Sequence, residues 1–227
     1  METFTNEFHS GHLYVRVAEQ EADRLEIAAF ERLIDEHRKP LQSIVPADAA
    51  KTIRLLVKAG FVLKRRCYEM DVGASDLPAP LSAPAEKLLT TRRGTSAYAE
   101  CAESMYVHYA QTHLSVNPLT ASLQAFAEML PSDVLYSTGE DAIHAAAFVE
   151  GNEIAYLWAR DEHVFRAFAP SLLFELFSRH DRITFEADDT DWVATGLKAM
   201  FPIAHGSRYD TYVKAMDFQN QGKEATK

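Results

Sequence analysis

The sequence predicts a mixed α/β fold, and three observations carry that expectation. Short runs of β-branched and aromatic residues alternate with amphipathic helical stretches along most of the chain. A strand-helix-strand-helix-strand order occurs twice, once at each end of the sequence. Between the two lie a pair of helices and three strands joined by short turns, the pattern of an antiparallel meander.

Taken in order, "HLYVRV" (His12 to Val17) reads as a strand. It leads into "EADRLEIAAFERLIDEH", where Leu25, Ala28, Ala29, Leu33 and Ile34 recur on one helical face. "LQSIV" (Leu41 to Val45) is a second strand. "PADAAKTIRLLVKAG" opens with Pro46 and Asp48 and closes on Gly60, a helix with start and stop signals. "FVLKRRCYEMDV" (Phe61 to Val72) alternates as a third strand. Residues 73–84, "GASDLPAPLSAP", are proline-rich and lack apolar periodicity, as a linker does.

A strand "KLLTTRR" follows, then helices over "SAYAECAESMYVHYAQTHL" and around "TASLQAFAEML". "DVLYS", "AIHAAAFVEG" and "EIAYLWA" are strands, the first two joined by "TGED" and the last two by a tight turn at Gly151-Asn152. The closing set is a helix "FRAFAPSLLFELFSRH", a strand "RITFEADD", a helix "TDWVATGLKAMF" and a strand "RYDTYVK". Residues 12–72 thus match the back half of residues 86–216 in element order, while the front half occurs once. The expected division is a partial first copy over 1–72, the linker, a complete second copy over 85–216 and a polar tail over 217–227.

Composition narrows the function classes. The 227 residues are 47% hydrophobic, enough for packed cores. A net charge of −10 disfavours nucleic acid, whose binding draws on clustered Lys and Arg, and Lys64-Arg65-Arg66 and Arg92-Arg93 read as solvated strand faces. No run is long and apolar enough to span a membrane, and "METFTNEFHSG" does not resemble a signal peptide, so a cytoplasmic location is expected. Cys67 and Cys101 read as ordinary thiols. His108 and His113, five apart, do not align as helical metal ligands, and no metal site is expected.

"AAKTIRLLVKAGFVLKRRCYEMDV" in the first copy, with "MYVHYAQTHLSVNP", "AAAFVEGNEIAYLWA" and "ITFEADDTDWVATGLKAMF" in the second, resembles the GNAT acyltransferases, especially bacterial proteins with two such domains in tandem. The resemblance implies a CoA-dependent N-acetyltransferase. It places acetyl-CoA between the two central parallel strands, its pyrophosphate on a Q/R-x-x-G-x-G/A loop at the next helix start. A small-molecule or peptide amine would be the acceptor. Laid on the second copy, that loop is Val164-Phe165-Arg166-Ala167-Phe168-Ala169, with Trp158, Ala159 and Arg160 supplying further backbone contacts. In the first copy Gln20-Glu21-Ala22-Asp23-Arg24-Leu25 puts acids at the loop, where a phosphate would meet like charge.

Acetyl transfer needs a base and an acid. The resemblance points to Glu153 or Glu186 as base. The helix position that carries the usual tyrosine is Leu56 in one copy and Lys198 in the other, which leaves Tyr209 and Tyr212 as substitutes. Glu153 also reads as a solvated turn residue, and Asp189, Thr190 and Asp191 as caps of the following helix. The leading strand of the first copy has no predicted neighbour, so pairing within the chain or in a homodimer is expected to cover it. The alternative function is a non-catalytic binding protein that keeps the fold without its cofactor loop.

Overall fold

The computed structural model describes residues 1–82, 87–139, 142–202 and 206–216. The polar tail, the end of the linker and part of the "TGED" turn lie outside the described residues. The elements are β1 (Glu2–Phe4), β2 (Leu13–Arg16), α1 (Ala28–His37), β3 (Leu41–Pro46), α2 (Ala50–Lys58), β4 (Val62–Gly73), β5 (Leu89–Arg92), α3 (Ser96–His113), α4 (Leu123–Met129), β6 (Asp133–Thr138), β7 (Ile143–Glu150), β8 (Glu153–Ala159), α5 (Glu162–Phe177), β9 (Arg182–Asp188), α6 (Trp192–Ala199) and β10 (Ser207–Lys214). They form a mixed α/β fold of two compact units. Of the described residues, unit 1 holds Met1–Arg65, Ser115–Thr120 and residues 209–216, and unit 2 holds those within Arg66–Leu114 and Ala121–Arg208. The units are therefore not divided at the linker.

Unit 1 is a sheet in the order β1-β2-β3-β10 with α1 and α2 against it. β2 and β3 are parallel but pair only at Leu13↔Leu41 and Tyr14↔Gln42. Leu13, Val15, Leu41, Val45 and Tyr212 alternate onto the helical face and close a core with Phe30, Ile34, Leu55, Leu56 and Phe61. Gly60, at φ +86°, ends α2 in a conformation only glycine adopts without strain. β10 runs antiparallel to β3 from Tyr209↔Pro46 to Lys214↔Leu41, and Lys214 Nζ bonds the Ala59 carbonyl at 2.6 Å and Glu31 at 2.9 Å.

The edge of β2 is covered within the chain. β1 pairs with it antiparallel, Phe4 stacks on Tyr14 at 5.3 Å, and Arg16 lies over the Phe4 ring. Three residues suffice for an edge strand because they need only satisfy one side of β2 and present a short edge of their own.

Unit 2 follows the order β4-β9-β8-β7-β6-β5. β6 to β8 are the expected antiparallel meander, and β5, which precedes α3 and α4, pairs antiparallel with β6. β8 and β9 are parallel, paired only at Glu153↔Thr184 and Ile154↔Phe185, and β4 lies antiparallel to β9 from Cys67↔Asp188 to Gly73↔Arg182. One face packs Ile154, Leu157, Ile183, Phe185 and Ala187 against Phe168, Leu172, Leu173, Val193 and Leu197 of α5 and α6. The two helices approach closely at Gly196, where an added Cβ would come within 2.8 Å of the Phe165 ring.

Gly196→Val should therefore lower stability by about 1–3 kcal/mol through overpacking. Guanidinium unfolding measures it, and Phe165→Leu in the same chain should recover part of the loss by making room for the added methyls.

Candidate functional site

In unit 2 the site is built where β8 and β9 part. After Ile154↔Phe185 the two strands form no further pair, although β8 continues to Ala159 and β9 to Asp188. At the same point β8 carries a bulge: Val149 pairs with Ile154 and Phe148 with Tyr156, so Ala155 is the extra residue. A bulge re-aims the side chains that follow it. Tyr156 consequently lies among Tyr109 of α3 and Phe126 of α4, at ring separations of 6.1 and 5.9 Å, with its hydroxyl 3.9 Å from Met129 Sδ.

Beside this point a cavity of about 410 Å³ is lined by Glu69, Asp71, Glu153, Thr184, Glu186 and Ser207, with Met70, Phe185 and Gly206. The structure thus brings Glu153 and Glu186 together and adds two acids that sequence reasoning missed. Asp71 is paired with Arg182 at 2.7 Å, and Glu69 accepts a bond from Ser207 Oγ at 2.7 Å. Glu69 and Glu186 stand directly opposite each other in the β4–β9 register. Glu186 accepts from Cys67 Sγ at 3.7 Å, so each carboxylate has a neutral donor, while like charges directly opposite in a sheet repel. Burial, with Glu186 and then Glu153 nearby, pushes the Tyr156 phenol up to about 12.

Two buried histidines of α3 complete the surroundings. His108 Nε2 lies 3.0 and 3.1 Å from the Asp191 carboxylate, which also caps α6 by accepting from Val193 N at 2.8 Å. His113 stacks on Tyr109 at 3.8 Å, with Nδ1 3.0 Å from the Tyr109 carbonyl and Nε2 3.9 Å from Asp188. Among the described residues no three His, Cys, Asp or Glu side chains form a group that could hold a metal.

The segment Val164–Ala169, read from the sequence as a cofactor loop, is helix. α5 starts at Glu162, so the amides of Arg166 to Ala169 point to carbonyls a turn earlier within α5. Val164 and Phe165 are buried, and Phe168 and Ala169 fully so. At the helix start Asp161 Oδ1 accepts from Val164 N at 2.9 Å, and the Asp161 carbonyl accepts from Phe165 N at 3.0 Å. The Val164 amide, then the Arg160 side chain, hold the Asp161 carboxyl below the usual range. Both nearby arginines are engaged: Arg160 Nε with Asp161 and Arg166 with Glu162, each at 3.1 Å. A diphosphate does not fit these residues, because the amides meet a carboxylate already and Glu162 adds like charge.

Of the other expected residues, Trp158 is half-buried on β8, Ala159 is buried, and Arg160 N donates to the His144 carbonyl at 2.8 Å. Tyr212 belongs to unit 1, buried in its helix-facing core, and Lys198 Nζ lies 4.2 Å from the Tyr68 ring centroid.

No protein-family model matches the chain, and no curated protein sequence matches it. Solved structures do. A GCN5-related N-acetyltransferase from Sphaerobacter thermophilus aligns at 14% identity and TM-score 0.58, over 94% of this chain and 75% of that one. A GNAT-family acetyltransferase from Colwellia psychrerythraea aligns at 9% and 0.54, over 94% and 80%. A tandem GNAT protein from the clavulanic acid biosynthesis pathway aligns at 12% and 0.50, over 90% and 75%.

The Tyr156 environment sets a titration. An absorbance step at 295 nm near pH 12 should be present in the native chain and missing from Tyr156→Phe. The raised phenol means the folded state holds its proton longer, so stability falls as pH rises from about 10 to about 12, less steeply in the variant.

Proposed function

We propose that this chain, whose fold is that of the GNAT acetyltransferases, binds a protonated amine in the unit 2 cavity and does not require CoA to do so. The observation that carries this reading is the Glu69–Glu186 pair held face to face in register, with Glu153 lining the same cavity. A bound ammonium would offset the repulsion of that pair with charge-assisted hydrogen bonds. The N-acetyltransferase among the structural neighbours supports an amine as the class of molecule, since such enzymes act on nitrogen. The carboxylate at the start of α5 supports a binding role over transfer.

Calorimetric titration with butane-1,4-diamine and spermidine tests it. Binding should weaken as salt rises, and Glu153→Gln and Glu186→Gln should each reduce affinity about tenfold, a loss of about 1.4 kcal/mol. Absence of heat with either amine, or variants that bind as the native chain does, sinks the proposal.

A second reading is favoured by the parting of β8 and β9 beside the Ala155 bulge: acetyl transfer to the same amine, with Glu153 or Glu186 as base. Amine-dependent release of CoA thiol from acetyl-CoA would establish that reading over the first.

A further inference from the structure

We propose that unit 1 carries a binding site for a small uncharged molecule bearing a primary amide, on the sheet face turned away from α1 and α2. The proposal does not rest on amine binding in unit 2. Strand alternation divides the side chains of this sheet: Leu13, Leu41, Val45 and Tyr212 enter the helical core, so Tyr14, Gln42 and Thr211 project from the opposite face. Tyr14 and Gln42 form the last pair before β2 and β3 part. Gln42 faces Val213 on β10, and Thr211, two residues from Val213, is its diagonal neighbour. The loop 115–120, part of the same unit, reaches this face, where Asn117 Nδ2 donates to the Tyr14 hydroxyl at 3.1 Å.

A buried sheet face is ordinarily apolar, yet this one holds polar atoms that the chain itself does not satisfy. Gln42 is fully buried beside the Tyr14 hydroxyl, but among the described residues neither its Oε1 nor its Nε2 makes a hydrogen bond of ordinary geometry. Asn117 Oδ1 and Thr211 Oγ1, on side chains more than nine-tenths buried, have no partner there either. Burying a carboxamide with both ends unpaired costs free energy that a native protein keeps only where something else offsets it. Together the groups offer donors and acceptors and no charge. A primary amide matches them: its carbonyl accepts from Gln42 Nε2 while its NH2 donates to Gln42 Oε1, and Asn117 Oδ1 and Thr211 Oγ1 remain for its second N–H and its carbonyl. The surroundings favour a neutral guest. His9 Nδ1 lies 3.3 Å from the Pro118 carbonyl of the same loop, and burial pushes His9 and His12 below the usual imidazole range. The Arg65 charge, which lowers His9 further, disfavours a cation. Ile44, next along β3 on this face, is 46% exposed, so the face reaches solvent.

Magnetic-resonance titration of the isotope-labelled full chain with acetamide, and separately with acetate, which has the same shape but a charge, tests this. Acetamide should move the side-chain amide signals of Gln42 and Asn117 along a saturating curve, and acetate should leave them in place. Gln42→Met keeps the volume without the polar atoms. It should melt about 3 °C higher, because an unpaired amide is gone, and its Asn117 signal should no longer respond to acetamide. Signals that drift with acetamide without saturating, or that answer acetate equally, overturn the proposal. So does an unresponsive native chain with Gln42→Met melting lower, the result expected if internal water alone satisfies the amide. If Gln42→Met does not fold, Thr211→Val carries the test: it should weaken acetamide binding about threefold, and unchanged binding overturns the proposal.

Discussion

Two parallel strands that pair for two residues and then separate are the constraint on which the molecule is organised. It appears in both units, at Leu13–Tyr14 against Leu41–Gln42 and at Glu153–Ile154 against Thr184–Phe185. Parting leaves backbone groups and helix starts without the partners a continuous sheet would supply. The chain answers with carboxylates at Glu19, Asp161 and Asp191, and with the Ala155 bulge, which absorbs the change of direction in β8. The fold is thus built around a gap, and its local chemistry follows from how that gap is filled.

That filling has a consistent sign. On the face of unit 2 where Tyr156 meets α3 and α4, burial first, and then Glu186 and Glu153, keep the phenol protonated. At the start of α5 the arginines are already matched to Asp161 and Glu162. An anion approaching either place meets carboxylate first, whereas a cation meets acceptors. Exposed ion pairs such as Arg166–Glu162 contribute little to stability, so their weight lies in setting the local potential.

Most elements were legible because their signals are local. Gly60 marks the end of α2, Asp191 caps α6, and alternation in "FVLKRRCYEMDV" defines β4. β1 was not, since Glu2–Phe4 has no periodicity to detect and exists as a strand only through β2. The start of α5 was placed too late. Asp161, a good N-cap residue followed closely by Val164, was the available sign that the helix begins before Phe165. Glu153 and Glu186 were legible as candidates, but their meeting required the β8–β9 register. Glu69 was out of reach of the linear sequence. Its alternation with Met70 and Asp71 showed a charged strand face, yet nothing there places it opposite a residue more than a hundred positions later.

β10 gives unit 1 its last strand from the far end of the chain. Vectorial synthesis therefore delivers α1, α2 and β3 long before the strand that hydrogen-bonds to β3's remaining side. Until Tyr209–Lys214 leaves the ribosome, one side of the Leu41–Pro46 backbone is an unclaimed ribbon. A nascent chain must keep that ribbon away from other strands, and the Ile44 and Pro46 side chains, both exposed on it, are where a chaperone or a misfolding partner would first take hold.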